Sequence, residues 1–131
     1  NGNHLILGAN PAVFSYLDTV GGRAGLDGQS RAEFPFCDVR SGARWTLRPN
    51  RGRLPWWIFS PSRRVPGTKW TDYLAGLRLA WADERASVAD CVGSTGALTE
   101  RLWEPLTEAV LNASTSEGAA RLLWPVLRLT F

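Results

Sequence analysis

A chain of 131 residues with 44% apolar content has enough hydrophobic side chain to bury one ordinary core, which excludes a disordered or fibrous polymer. No stretch approaches the roughly 20 apolar residues that a bilayer-spanning helix needs, and no basic run followed by an apolar one opens the chain as a secretion signal would. The net charge of +3 is unevenly laid down: through Lys69 ten Lys/Arg stand against four Asp/Glu, and from Trp70 onward five stand against eight.

In chain order, His4-Leu5-Ile6-Leu7 ends at Gly8 and reads as a short strand. Asn10-Pro11 can open a helix, because proline suits a first turn. Val13, Phe14, Leu17 and Val20 then recur at helical spacing until Gly21-Gly22. Phe34 to Arg40 and Arg44 to Arg48 alternate apolar with polar residues around Ser41-Gly42, a hairpin pattern in which Pro35 restricts its strand to an edge position or a late start. Residues 49–67 are rich in Pro and Arg around one apolar island, Leu54 to Phe59. Thr68 is placed to cap a helix whose Trp70, Tyr73, Leu74, Leu77 and Trp81 share a face at α-helical spacing.

Ser87 and Asp90 match a capping box for a short helix closed by Gly93. Leu98, Leu102, Leu106, Ala109 and Val110 form another stripe, which Pro105 should kink or divide. Ser114 with Glu117 is placed to cap a last helix carrying Ala120, Leu123, Val126 and Leu127, bent at Pro125. The sum is an α+β fold, mainly α: a helical domain with one small antiparallel β-hairpin sheet.

Several chemistries are excluded. No GxGxxG follows a strand and no GxxxxGK[ST] occurs, and Gly21-Gly22-Arg23-Ala24-Gly25 follows a helix, so nothing here cradles a pyrophosphate. One His and two separated Cys cannot complete a zinc site, so no metal is expected. Cys37 and Cys91 read as reduced, buried thiols of a cytoplasmic protein. The basic residues are not arrayed on one helix face and the second half is acidic, which argues against nucleic acid. The chain has no Met and its last residues are apolar, so it reads as an excised stretch.

Two segments resemble one family. Asn1-Gly2-Asn3-His4-Leu5-Ile6-Leu7-Gly8-Ala9 is similar to the D-N-G-Q-H-L-x-L-G-A motif of the squalene-associated FAD-dependent desaturases, with Asn3 in place of Gln. Arg101-Leu102-Trp103-Glu104-Pro105-Leu106, followed by Ala109-Val110-Leu111-Asn112, resembles that family's R-L-W-E-P-L…A-x-L-N. The family's activity is hydroxysqualene dehydroxylation, within the phytoene desaturase and amine oxidase superfamily. Residues 49–86 match it only in character. The resemblance implies that residues 1–131 are a substrate-binding segment of a larger flavoprotein, lacking the FAD-binding Rossmann part. FAD would be bound in the full-length parent and none by this piece, which alone would not be catalytic. The substrate would be a long isoprenoid, either reduced as hydroxysqualene or desaturated.

The resemblance nominates Asn3 as flavin-proximal and His4 as a proton donor to a departing hydroxyl; His4 could equally be a hydrogen-bonded strand residue. Trp103, Glu104 and Asn112 are nominated as substrate-binding, with plain packing and a carboxylate cap at the Pro105 kink as the alternative. Arg53, Leu54, Trp56, Trp57, Phe59, Arg63 and Arg64 interleave aromatic with basic residues, as suits an anionic membrane surface; the alternative is that the rings pack inside. Such a protein would be cytoplasmic and peripheral at the inner face of the cell membrane. The isolated piece would expose apolar surface and self-associate with its own copies, for want of the FAD-binding domain. A non-enzymatic peripheral membrane or lipid-binding module is the competing reading.

Overall fold

The computed structural model describes residues 11–28, 31–50, 52 and 54–130. The expected strand at His4 to Leu7, the cap at Asn10, the nominated residues Asn3, His4 and Arg53, and Arg51 lie outside the described residues. The described residues fall into two compact units, one within Asn1–Arg31 and one within Ala32–Leu129. The fold is α+β and mainly α, with a single two-stranded sheet among the described residues.

In the first unit, helix α1 (Pro11–Thr19) begins at the expected proline. Gly21, at φ 70°, turns the chain into a 3₁₀ turn, Gly22–Gly25. The Arg23 guanidinium lies 4.8 Å from the Phe14 ring centroid and 3.0 Å from the Asp18 carboxylate. Val13, Phe14 and Leu17 are half-buried, whereas Val20 lies past the helix end and is exposed.

The second unit opens with the predicted hairpin, β1 (Phe34–Cys37) against β2 (Arg44–Leu47), antiparallel with Phe36 opposite Trp45. The Asp38 N–H donates to Ala43 O at 2.9 Å. Hydrogen-bonded and open pairs alternate from there, so Pro35, opposite Thr46, falls in an open pair where no N–H is needed. Gly42 takes φ 71°, and the Asp38 carboxylate closes the turn by accepting from Arg40 N and the Ser41 hydroxyl. Those two donors, Ser41 first, hold the Asp38 carboxyl below its usual value. The strand's alternation turns Cys37 outward, which corrects its expected burial; Cys91 is buried, and both thiols are free.

The helix Trp70–Trp81 forms, but as a 3₁₀ helix. Three residues per turn stack positions i and i+3, so Tyr73, Gly76 and Leu79 face the core. Trp70, Leu74, Leu77 and Trp81, expected on the buried face with Tyr73, are exposed. Its cap also differs: the Asp72 carboxylate accepts from Lys69 N at 2.7 Å, while the Thr68 hydroxyl donates to Val65 O.

Helix α2 (Val88–Val92) is capped as predicted, with Asp90 N donating to Ser87 Oγ and Ser87 N to the Asp90 carboxylate. Gly93 closes it at φ 91°. A π-helical turn, Thr99–Trp103, leads into α3 (Glu104–Leu111), so the helix is divided just before Pro105. The last helix, α4 (Ala120–Thr130), continues through Pro125. Ser114 and Glu117 do bond to each other at 2.7 Å, but they close a turn that precedes α4 instead of capping it. Residues 118–120 run beside 86–88: Val88 N donates to Gly118 O and Ala120 N to Ala86 O. Among the described residues no helix is long and apolar enough to cross a membrane.

Candidate substrate-side site

The segment carrying Trp103, Glu104 and Asn112 owes its geometry to Pro105. A proline has no N–H, so the hydrogen-bond ladder entering α3 must loosen, and Glu104 N instead reaches back five residues to Thr99 O. The wider turn brings Leu102 and Trp103 inward together, at 3% and 5% exposure. It also shifts the stripe beyond it: Thr107 is fully buried where Ala109 was expected, and Ala109 is exposed. The Trp103 indole lies so close to the helix Trp70–Trp81 that a Cβ on Gly76 would stand 2.9 Å from its ring. Trp103 is therefore a core residue that holds the 3₁₀ helix at close approach.

Glu104, beside it, is half-buried and reaches the loop after α3, where its Oε2 accepts from both the Thr115 N–H and the Thr115 hydroxyl. Charge-assisted bonds of this kind are the stronger class. The Thr107 hydroxyl donates to Trp103 O at 2.6 Å, and a Cβ on Gly118 would stand 2.6 Å from the Thr107 methyl. Asn112 ends α3 in the left-handed conformation, φ 53°, which Asn tolerates better than most residues. The three nominated residues thus do three jobs: one packs, one ties two segments together and one turns the chain. Among the described residues no group of His, Cys, Asp and Glu gathers as a metal site.

Known proteins resemble the chain along this whole arrangement. It is 44% identical over 130 residues to a protein named hydroxysqualene dehydroxylase from Rhodopseudomonas palustris. Proteins of the same name from Sinorhizobium fredii and Zymomonas mobilis subsp. mobilis are 40% and 38% identical over the same length. The resemblance is to hydroxysqualene dehydroxylases. It covers 99% of this chain and therefore includes residues 49–86, where the motifs were silent. The chain spans 31% of the length of each of these relatives. No family model matches it, and no solved structure does.

The basic and aromatic segment divides its rings between inside and outside. A 3₁₀ turn, Trp56–Phe59, buries Trp57 and Ile58 and leaves Trp56 and Phe59 exposed. Trp57 was expected to face a membrane. It instead packs edge-on against Tyr73, centroids 5.3 Å apart at 85°, while Trp56 and Phe59, three residues apart on the 3₁₀ turn, share the exposed side. Asn50 clamps the turn, accepting from Trp57 N at 2.9 Å and donating to Leu54 O at 3.0 Å. Arg64, half-buried, donates to Ile58 O, while Arg63 is exposed. Tyr73 Oη accepts from Val65 N, and burial pushes its pKa up, so it stays a neutral phenol.

Two contributors escaped sequence reasoning. Trp70 sits 5.4 Å from Phe59 and extends the exposed aromatic cluster that Trp56 and Phe59 form at 6.0 Å. Gly76 is the contact point for Trp103. A three-residue period over Trp70–Trp81 puts Gly76 in line with Tyr73 and Leu79; Trp70 shares that line but, as the first residue of the helix, stays exposed.

Proposed function

We propose that this chain is the substrate-side segment of an FAD-dependent oxidoreductase that removes the hydroxyl of hydroxysqualene to give squalene. The observation that carries the reading is the match over 99% of the chain to proteins named for that activity. Replacing a hydroxyl by hydrogen is a two-electron reduction. The C–O bond breaks, the oxygen leaves as water with a proton, and hydride closes the C–H bond. The relatives' names favour this direction over desaturation.

The described residues do not fit a flavin cradle. Both strands belong to one hairpin, and neither runs through a glycine-rich turn into a helix, the arrangement that holds a pyrophosphate. FAD would then be bound by other parts of the parent, and this segment would shape the apolar wall for the isoprenoid. Trp103 and Glu104 would serve it by positioning, since one is in the core and the other is tied to Thr115. His4, from its place in the motif, would supply the proton that the departing oxygen takes.

The test is conversion of hydroxysqualene by the full-length protein with reduced flavin. Squalene should appear, and His4→Ala should slow its release without lowering flavin content. Failure of the unsubstituted protein to form squalene would overturn the reading, and full turnover in His4→Ala would remove the proton-donor role.

A further inference from the structure

We infer that the exposed aromatic cluster Trp56, Phe59 and Trp70, with Leu54 beside it, docks the protein on an anionic lipid surface. The inference deepens the proposed function and rests on it in one respect: a water-insoluble isoprenoid has to be collected from lipid.

Its geometry is built rather than incidental. Leu54, Trp56, Phe59 and Trp70 are 59%, 62%, 50% and 44% exposed. Large apolar side chains normally scatter singly over a soluble surface, whereas these three rings form a continuous chain of contacts. The turn that presents them is fixed from beneath by Trp57 and Ile58 in the core and by the Asn50 clamp. The rings therefore stay out because their neighbours are locked in.

Charge selects the partner. Between Asp38 and Asp72 the sequence holds eight Lys/Arg and no Asp or Glu. Of these, Arg40, Arg44, Arg63 and Lys69 are exposed, and Arg48 pairs with Glu33. Aromatic rings sit comfortably at headgroup depth, and guanidinium groups meet lipid phosphate there. A purely apolar protein partner would use the rings and leave this uncompensated positive charge without a role. The rings sit on a 3₁₀ turn and at the start of a 3₁₀ helix, so this surface meets the lipid by side-chain insertion at headgroup depth.

The test uses the full-length protein with vesicles of phosphatidylcholine alone and of phosphatidylcholine mixed with phosphatidylglycerol. Binding should be confined to the mixed vesicles and weaken as salt rises. Trp56→Ser/Phe59→Ser/Trp70→Ser should reduce it about tenfold or more, from lost apolar insertion. Arg63→Glu should reduce it less and flatten the salt dependence. Leu122→Ser, at an exposed residue outside the cluster, should bind as the unsubstituted protein does. Equal binding by the triple variant would overturn the inference. So would the absence of binding to either vesicle, which would mean that another part of the protein covers the cluster. Vesicle binding is read without turnover, so it stands or falls separately from the conversion of hydroxysqualene.

Discussion

Trp103 and Trp70 lie on or against the same 3₁₀ helix and have opposite fates. Trp103 is pressed onto the inner face at Gly76 and is 5% exposed, whereas Trp70, the first residue of the helix, is 44% exposed. Trp57 and Trp56 repeat the contrast one residue apart. The lesson is that ring chemistry does not decide the role of these tryptophans. Position does: Trp103 meets Gly76 in the core, whereas Trp70, in line with Tyr73 and Gly76 by a three-residue period, is the first residue of its helix and stays exposed.

The comparison breaks first at the inner face. Trp103→Ala should cost about 3–5 kcal/mol, by lost burial and the cavity left against Gly76. A urea midpoint close to that of the unsubstituted chain would mean that Trp103 does not hold the helix.

Overpacking the same region is the next largest effect. Gly118→Ala would place a methyl 2.6 Å from the Thr107 side chain and 3.1 Å from Ser114 O, one of them backbone. It should destabilise by about 1–3 kcal/mol, read as a lowered urea midpoint. A neutral result would show that the loop after α3 is not locked against Thr107.

The smaller effects sharpen the outer side of the contrast. Ser87→Ala removes the acceptor for Asp90 N and should cost about 1 kcal/mol. The bonds from Ser87, the backbone one first, hold the Asp90 carboxyl below its usual 3.8. A depressed folded pKa stabilises above the unfolded value and loses that contribution as pH falls through the folded one. The cap should therefore weaken below about pH 3.8. Asp90→Asn should remove that part of the acid dependence in urea midpoints taken across this range; an unchanged profile would place it elsewhere. Trp56→Ser should change stability by less than about 0.5 kcal/mol, as expected for an exposed side chain. A loss as large as that of Trp103→Ala would erase the distinction between the two faces.

What was legible in the sequence was what local chemistry decides. Alternation around Ser41-Gly42 gave the hairpin, Pro11 and Gly21 bounded α1, and the Ser87/Asp90 box with Gly93 bounded α2. What was not legible depends on tertiary contact. Trp70, Leu74, Leu77 and Trp81 fit an α-helical stripe by spacing, whereas the helix that forms is 3₁₀ and seats Gly76 against Trp103. The π turn before Pro105 moved the inner stripe from Ala109 to Thr107 for a similar reason. At the candidate site, motif resemblance found Trp103, Glu104 and Asn112, but only the fold revealed Thr115 as the partner of Glu104, eleven residues away. Composition likewise marked Trp56 and Trp57 as a pair and could not say which of them faces out.

The division of tryptophans between the two faces underlies both the packing of the segment and its proposed docking surface. Hydroxyl-radical footprinting of the full-length protein, read residue by residue by mass spectrometry, tests it most directly. Trp56 and Trp70 should be oxidised quickly, Trp57 and Trp103 should be protected, and anionic vesicles should shield only the first pair. Equal oxidation of Trp56 and Trp57, or protection of Trp56 and Trp70 without lipid, would contradict the account.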